Sequence, residues 1–268
     1  MRVVSLASGS SGNATIVEAG ETTLLIDAGL NVRVLAKRLR EAGCDPARVT
    51  GIVLTHEHSD HTTGALQLAW QYDIPIMADA KTLAALMTTI TDGDALAGVT
   101  SEAHPVGSNW RVGNLSLTSF PIPHDAVAPC GYLIATDAWR ICYVTDCGVM
   151  NDTILAQLRQ AQLIILEANH DRDRLVRGPY PQHLKRRILS PQGHLANNEA
   201  AEAIHYCLDD GPRWIWLAHL SRTNNTPALA RAAVEKRLGE RRLRSTRLAV
   251  MPPDLGPTWD SQAIFAER

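Results

Sequence analysis

Residues 51–61 have the sequence GIVLTHEHSDH, in which a short apolar run leads directly into a dense cluster of polar side chains. The apolar residues 51–55 predict a short buried strand. A strand end followed by a tight turn can direct alternate side chains at two points a few ångströms apart. The polar cluster has an HxHxDH pattern, and its four possible metal ligands are His56, His58, Asp60 and His61. We therefore expect the two N-terminal ligands to bind one metal ion and the two C-terminal ligands to bind a second.

Three further candidate ligands follow predicted strands elsewhere in the chain. Each stands one to three residues beyond a run that is typical of a β-strand. These residues are His124, Asp146 and His219. Neutral imidazole and carboxylate groups suit zinc, manganese or iron(II). The sequence therefore predicts a dinuclear site in which His124 joins the first metal, His219 joins the second and Asp146 bridges the two.

The rest of the sequence predicts alternating strands and helices. Short runs rich in β-branched residues predict strands at 3–7, 14–18, 23–27, 51–55, 75–78, 115–121, 130–136, 140–145, 163–166 and 214–218. Apolar residues at helical spacing predict helices at 31–42, 66–72, 81–90, 153–159, 197–208 and 227–238. Strands followed by helices, with antiparallel hairpins among them, indicate an α/β layered sandwich. We expect a single domain over residues 1–268.

The composition is that of a folded globular protein. The chain has 268 residues, of which 45% are apolar and 20% charged, and this balance excludes a disordered chain. The formal net charge of −2 argues neither for nor against nucleic acid, so any basic surface must be local. Five cysteines form no CxxC pair, which indicates reduced thiols and a cytoplasmic protein. No apolar window is long enough to cross a membrane, so we expect no membrane partner.

Eight sequence segments make this chain similar to one family. They read LASGSSGN, LLIDAGL, LTHEHSDH, PIPHDA, YVTDCG, EANHD, RGPYPQHLKRRILSPQGHLANNEA and LAHLSRTNN, and they fall within residues 5–225. In these segments the chain resembles the YycJ/WalJ-like branch of the metallo-β-lactamase-fold hydrolases. The resemblance implies a four-layer αβ/βα sandwich, with two mixed β-sheets and helices on the outer faces. It also implies phosphodiesterase activity, and 5′-directed exonuclease activity on DNA is described for members of that branch.

The resemblance also implies roles for individual residues. It gives the two metal ions the seven ligands named above, with Asp146 shared between them. His194 matches a phosphate-contacting histidine, Glu167 would orient its ring, and Asp27 would fix a ligand histidine. A metal-bridging hydroxide, oriented by Asp60, would attack phosphorus in line, and His194 would donate a proton to the leaving oxygen or clamp the phosphate. The predicted cofactors are two divalent ions, zinc or manganese, with iron as an alternative.

The predicted substrate contacts come from a basic segment close to His194. Six basic side chains lie between residues 172 and 187, with only two aspartates nearby. A basic surface beside a hydrolytic metal pair suits a phosphate backbone, although the same run would also fit a solvated helix face. The residues predicted to contact substrate are His170, Arg177, Lys185 and Arg186. The predicted partner is a nucleic acid, with DNA implied by the resemblance, or a small phosphodiester.

Three other functions are compatible with parts of this pattern. A small-molecule hydrolase on the same fold would act on a cyclic phosphodiester, a thioester or a lactone, but the basic segment favours a nuclease. A di-iron redox module would favour a carboxylate at position 58, where this chain has His58. A non-catalytic metal-bound structural protein would have closed coordination spheres and no reactive water.

Overall fold

The strands form two seven-stranded sheets. The computed structural model describes residues 1–89, 98–209 and 213–266 of the chain. The strands of the first sheet are β1 Arg2–Ala7, β2 Ala14–Ala19, β3 Thr22–Ile26, β4 Gly51–Val53, β5 Ile76–Ala78, β6 Ser101–Ala103 and β14 Thr258–Asp260. The strands of the second sheet are β7 Asn109–Val112, β8 Leu115–Pro121, β9 Cys130–Ala135, β10 Arg140–Val144, β11 Leu163–Glu167, β12 Arg213–Ala218 and β13 Thr246–Val250.

Each sheet has an antiparallel part and a parallel part. The first sheet has the order β14-β1-β2-β3-β4-β5-β6, and its strands are antiparallel as far as β3 and parallel from β3 onward. The second sheet has the order β13-β12-β11-β10-β9-β8-β7, with parallel pairing from β10 to β13. Since the carboxyl ends of parallel strands meet at one edge, the residues that follow β10, β11 and β12 come together there.

Helices cover the outer face of both sheets. The helices that the structure describes are α1 Val32–Glu41, α2 Ser59–Thr62, α3 Ala65–Tyr72, α4 Ala80–Met87, α5 Asp152–Gln160, α6 Arg172–Arg177, α7 Gln182–Ile188, α8 Asn197–Cys207, α9 Pro227–Leu243 and α10 Ser261–Ala266. One apolar core joins α1, α3 and α4 to the first sheet, and a second joins α5, α8 and α9 to the second sheet. The predicted four-layer sandwich with two mixed sheets is therefore confirmed.

A third apolar core lies between the two sheets. Strand β12 shows how the sequence builds it, because successive side chains of a strand point to opposite faces. Trp214, Trp216 and Ala218 contact the core between the sheets, whereas Ile215 and Leu217 pack against the outer helices. This strand is apolar on both faces, as expected for a strand covered on each side. The core between the sheets fixes how the edges that carry the polar ligands face each other.

Most predicted elements are present, with ends shifted by a few residues. The predicted strand at 51–55 ends earlier, at Val53, because the chain then turns toward the ligand cluster. Asn31 caps α1, with its side chain accepting a hydrogen bond from the Arg33 N–H. The last residue of the predicted helix at 81–90, Ile90, lies outside the described residues. The predicted helix at 227–238 continues to Leu243, past a kink in α9.

Tyr132 links the two sheets beside the predicted metal ligands. It lies on β9, is buried, and donates a hydrogen bond of 2.7 Å from its hydroxyl to the carbonyl oxygen of Leu54, just after β4. We expect Tyr132→Phe to lower the free energy of unfolding by about 1–2 kcal/mol, because a buried carbonyl loses its donor. Urea denaturation measures this change. Tyr206→Phe, at an exposed position, is the matched control with a change below about 0.5 kcal/mol, and equal changes in both variants would contradict the interpretation.

Candidate metal centre

The seven predicted metal ligands lie close together, although both sheets contribute them. Four follow β4 of the first sheet, and the other three follow β8, β10 and β12 of the second. Their ligand atoms form overlapping groups in which every pair of atoms lies within 4.8 Å. These groups are His56, His58 and His124; His56, His61 and Asp146; Asp60, His61 and His219. The spatial convergence that the sequence predicts is therefore present.

The first group has the geometry of a metal-binding histidine cluster. Nε2 of His124 is 3.3 Å from Nδ1 of His58, which is about the separation of two ligand atoms on a tetrahedral ion with bonds of about 2.0 Å. Oγ1 of Thr55 lies 3.0 Å from Nδ1 of His56. The other ring nitrogen of His56, Nε2, is buried and has no hydrogen-bond partner among the described residues. A buried nitrogen in this state fits a metal ligand.

The second group combines two oriented histidines with a carboxylate. Oδ2 of Asp60 lies 3.4 Å from Nε2 of His219 and 3.7 Å from Nε2 of His61. On the other side of each ring, Nδ1 of His61 is 2.7 Å from Oδ2 of Asp27, and Nδ1 of His219 is 2.8 Å from Oε1 of Glu167. Carboxylates in this position set the tautomer and orientation of ligand imidazoles. Both rings are thus held with Nε2 directed at the carboxylate of Asp60.

Asp146 lies between the two groups. Its Oδ2 is 2.9 Å from Nε2 of His61, and its Oδ1 is 3.8 Å from Nε2 of His124. The shorter contact lacks hydrogen-bond geometry, so the buried Oδ2 has no hydrogen-bond partner among the described residues. An unpartnered carboxylate oxygen between imidazoles fits a cation better than a proton donor. The donor set as a whole therefore fits two divalent ions that share Asp146.

The backbone around the site adopts unusual conformations. Asp27, Asp146 and His219 have positive φ values of 59°, 54° and 54°, and each stands one or two residues beyond a strand. Such conformations cost on the order of 1–3 kcal/mol each and cluster at functional sites. Gly29 allows a close approach, since a Cβ at this position would lie 1.7 Å from the carbonyl oxygen of Asp60. The geometry of the cluster therefore depends on local backbone strain as well as on side chains.

The carboxylates give the cluster a strongly negative character. Burial lowers the pKa of His219, but Asp146, Asp60 and Glu167 outweigh this effect and raise the pKa to about 10. Burial raises the pKa of Asp60, yet the hydrogen bond with His219 and the charge of His61 lower it to about 2. Carboxylates that remain ionised beside buried imidazoles create a potential that attracts cations. This negative potential favours the binding of divalent metal ions within the cluster.

His194 faces a cavity of about 260 Å³ that opens over the ligand cluster. Its Nδ1 lies 2.8 Å from Oε1 of Glu167, as the sequence predicts. Glu167 also has a contact that the sequence does not predict, because the same oxygen lies 2.8 Å from Nδ1 of His219. Its second oxygen accepts hydrogen bonds from the N–H groups of Cys147 and Leu195, at 2.9 and 3.1 Å. One fixed carboxylate therefore orients both a predicted ligand and a predicted catalytic histidine.

The four predicted substrate contacts do not reach this cavity. His170 is buried, and burial lowers its pKa to about 4. Arg177 and Arg186 are exposed on α6 and α7 but do not line the cavity. Lys185 is the clearest correction, because it is buried and its Nζ donates a hydrogen bond of 2.8 Å to the carbonyl oxygen of Val176. Its ammonium group joins α7 to α6 and is not available to a substrate.

Arg187, which was not among the predicted substrate contacts, lines the cavity instead. Its guanidinium makes a bidentate pair with Asp125, in which Nη2 is 3.1 Å from Oδ1. Asp125 follows His124 directly, and its Oδ1 is 3.4 Å from Nε2 of His124. A planar cation is thus present beside the metal ligands, where a phosphate group would need one.

Comparison with known proteins identifies the family of this chain. A family model described as a beta-lactamase superfamily domain matches residues 22–219. The chain belongs to the metallo-β-lactamase superfamily. This superfamily member is 37% identical over 240 residues to the exodeoxyribonuclease YycJ of Bacillus anthracis, with 88% of each chain covered. It is 36% identical over 237 residues to the exodeoxyribonuclease WalJ of Streptococcus pneumoniae, covering 88% of this chain and 87% of that one.

The fold of this metallo-β-lactamase superfamily member also matches a solved structure. The metallo-beta-lactamase fold protein YhfI from Bacillus subtilis superposes with a TM-score of 0.72 at 18% sequence identity. The superposition covers 96% of this chain and 98% of that one. At this identity the likeness concerns the fold alone.

Asp146→Ala tests the bridging position. We expect this variant to lose both divalent ions, because each ion would lose the ligand that the two share and the negative charge between the two ligand groups disappears. Metal analysis by mass spectrometry, on protein purified without chelator, measures the ions bound per chain. The matched control is Asp137→Ala, at an exposed turn residue, which is expected to keep the wild-type content of about two ions. If Asp146→Ala retains two ions, Asp146 does not bridge them.

Proposed function

We propose that the chain is a metal-dependent phosphodiesterase that acts on DNA as a 5′-directed exonuclease. One observation carries the proposal: two metal-ligand groups meet at Asp146 beneath a cavity that also presents His194 and Arg187. Relatives named exodeoxyribonucleases, which match over 88% of the chain, support DNA as the substrate. The seven clustered side chains are the proposed metal ligands.

Zinc or manganese is the proposed metal. The ligand groups offer imidazole nitrogens and carboxylate oxygens, a set that zinc and manganese both accept and that iron(II) also tolerates. The five cysteines take no part in these groups, and all are free and buried. When bound, the ions supply positive charge to the phosphate oxygens and lower the pKa of water toward neutrality.

His194 is the proposed proton donor to the leaving oxygen. Its Nδ1 faces Glu167, so Nε2 is the ring nitrogen that can reach a substrate in the cavity. Burial lowers the pKa of His194, but the charge and hydrogen bond of Glu167 outweigh this effect and raise it. The raised pKa favours the protonated ring, which is the form that a general acid needs. Asp60 is proposed to orient the attacking water as well as to bind metal.

The substrate backbone is proposed to run from the cavity over α6 and α7. Arg187 would contact the reacting phosphate by exchanging its partner Asp125 for phosphate oxygens, since a carboxylate and a phosphate each offer two oxygens to a guanidinium. Arg177 and Arg186 are exposed on the same two helices and would contact phosphates farther along the strand. Their role is therefore in binding rather than in chemistry.

Two broader proposals complete this assignment. We propose that residues 1–268 act as one domain, because the core between the sheets draws side chains from both of them. A cytoplasmic location stays a prediction, supported by the free state of the cysteines. Among the described residues, no helix has the length and apolar character needed to cross a membrane.

Degradation of end-labelled DNA tests the proposed activity. With Mn²⁺ or Zn²⁺, a 5′ label should appear at once in mononucleotides, whereas a 3′ label should pass through progressively shorter fragments. A chelator should stop both reactions because the ligand groups then hold no metal. Asp60→Asn, expected to be inactive, controls for contaminating nucleases. Turnover of thioesters or lactones without phosphodiesters would contradict the proposal.

His194→Ala tests the role of the proton donor. We expect turnover of DNA to fall by about 10²–10⁴ while metal content is unchanged, because the alkoxide leaving group loses its proton source. The loss on bis(p-nitrophenyl) phosphate should be much smaller, since p-nitrophenolate leaves without a proton. His183→Ala changes an exposed histidine of α7 and serves as the control. Equal losses on the two substrates would assign His194 to phosphate binding.

Glu167→Gln tests how the proton donor is tuned. Removing the carboxylate charge should lower the pKa of His194, so the alkaline limb of kcat against pH should move to lower pH. The profile is measured at saturating DNA, with metal content followed in parallel because His219 also loses its partner. Glu202→Gln, on the exposed face of α8, is the control. An alkaline limb at the wild-type position would show that Glu167 does not tune His194.

A further inference from the structure

A second cavity lies at the opposite ends of the strands from the metal centre. It has a volume of about 420 Å³ and is lined by residues of β12, β13 and β14. Trp214, near the start of β12, lines this cavity, whereas His219 directly follows the end of the same strand. At about 3.3 Å per residue, the two sites are about 17 Å apart along the strand. The volume is within the range of sites for small molecules.

The walls of this cavity have a net positive charge, which comes from Arg244 and Arg247 because Arg213 is paired with Asp209. Three arginines line it, Arg213, Arg244 and Arg247, against a single carboxylate, Asp260. Arg244 and Arg247 are exposed and form no ion pair with the part of the chain that the structure describes. Asp260 is partly engaged already, because its Oδ1 accepts a hydrogen bond of 2.9 Å from the Gln262 N–H. The free positive charge favours an anionic ligand.

Two buried hydrogen-bond donors of the residues that line the cavity have no acceptor among the residues that the structure describes. Nε1 of Trp259 and Nε of Arg213 form no hydrogen bond with any described residue, although the two residues are only 3% and 8% exposed. The remaining guanidinium nitrogens of Arg213 are occupied, at 2.6 Å from the carbonyl oxygen of Ala161 and 2.7 Å from Oδ2 of Asp209. Because both nitrogen atoms are fully buried, they lie behind the cavity surface, and the groups that a ligand can reach are the exposed arginines and Trp214.

The cavity also offers an aromatic surface. Trp214 and Trp259 both line it, with ring centroids 6.0 Å apart in an edge-to-face arrangement. Trp139 packs behind Trp259, with centroids 5.2 Å apart, and so holds the pair in place. Trp214 is half-buried, so part of its ring is accessible. Aromatic rings beside arginines are the combination that binds a planar base linked to a phosphate.

We propose that this cavity binds a nucleoside phosphate, with its phosphate on Arg244 and Arg247 and its base against Trp214. This site needs no metal and shares no lining residue with the cavity of the metal centre. The proposed nucleotide binding can therefore be tested independently of the proposed nuclease activity.

Calorimetric titration of the full-length protein with adenosine 5′-monophosphate tests the proposal. We expect saturable binding, with adenosine alone and inorganic phosphate alone each at least about tenfold weaker, because each lacks one of the two recognition elements. The double variant Arg244→Ala/Arg247→Ala should raise the Kd at least about tenfold. Arg33→Ala/Lys236→Ala removes the same charge from exposed positions elsewhere and should leave the Kd unchanged.

Two further variants separate the parts of the site. Trp214→Leu should weaken binding of the nucleotide but leave binding of inorganic phosphate within about twofold. Asp146→Ala, which removes the metal centre, should bind the nucleotide as the wild type does. If circular dichroism shows that Trp214→Leu is unfolded, the double variant Arg244→Ala/Arg247→Ala alone tests the proposal.

Three results would overturn the proposal. The first is a lack of saturable nucleotide binding by the wild-type protein, and the second is an unchanged Kd in the double arginine variant. The third is loss of binding in Asp146→Ala, which would assign the nucleotide to the metal centre. Sedimentation velocity gives an independent check, because a dimer that dissociates in the arginine variant would show that a second copy of the chain fills the cavity.

Discussion

The carboxylate of Asp146 lies between two groups of predicted ligands, and each group draws its side chains from both sheets. It follows β10 in the second sheet, whereas His61, whose Nε2 is 2.9 Å from its Oδ2, follows β4 in the first. The site therefore exists only while the two sheets keep their relative position. The apolar core between the sheets and the hydrogen bond from Tyr132 to Leu54 maintain that position. Burying so many polar groups would be unfavourable without cations to pair them.

Surrounding carboxylates turn this convergence into a defined geometry. Asp27 orients His61, and Glu167 orients both His219 and His194, so that each ring directs one chosen nitrogen inward. The positive φ values of Asp27 and Asp146 aim these side chains at a cost in backbone energy. A scaffold that tolerates this strain gains a preorganised site, because little must move when the ligand arrives.

The convergence of the seven side chains was predictable because each is a histidine or aspartate just after a recognisable strand. The fold class followed from the same strands, but the four edge strands β6, β7, β13 and β14 were missed because their residues are mostly exposed or half-buried and lack apolar alternation. The basic segment was misread for a different reason. Arg187 and Ile188 stand three and four residues after Leu184, and all three line the cavity, whereas Lys185 and Arg186 lie between them in the sequence and do not. Helical periodicity within 182–188, rather than charge alone, is the signal that separates these residues. The double role of Glu167 and the positive φ values depend on tertiary contacts that a single sequence does not reveal.

The account rests on two adjacent cations that share one carboxylate. Crystals of the protein grown with Zn²⁺ or Mn²⁺, measured at the absorption edge of the metal, would locate the ions by anomalous scattering. We predict two peaks on either side of Asp146, one among His56, His58 and His124 and one among Asp60, His61 and His219. A single peak, or two peaks that Asp146 does not contact, would contradict the account.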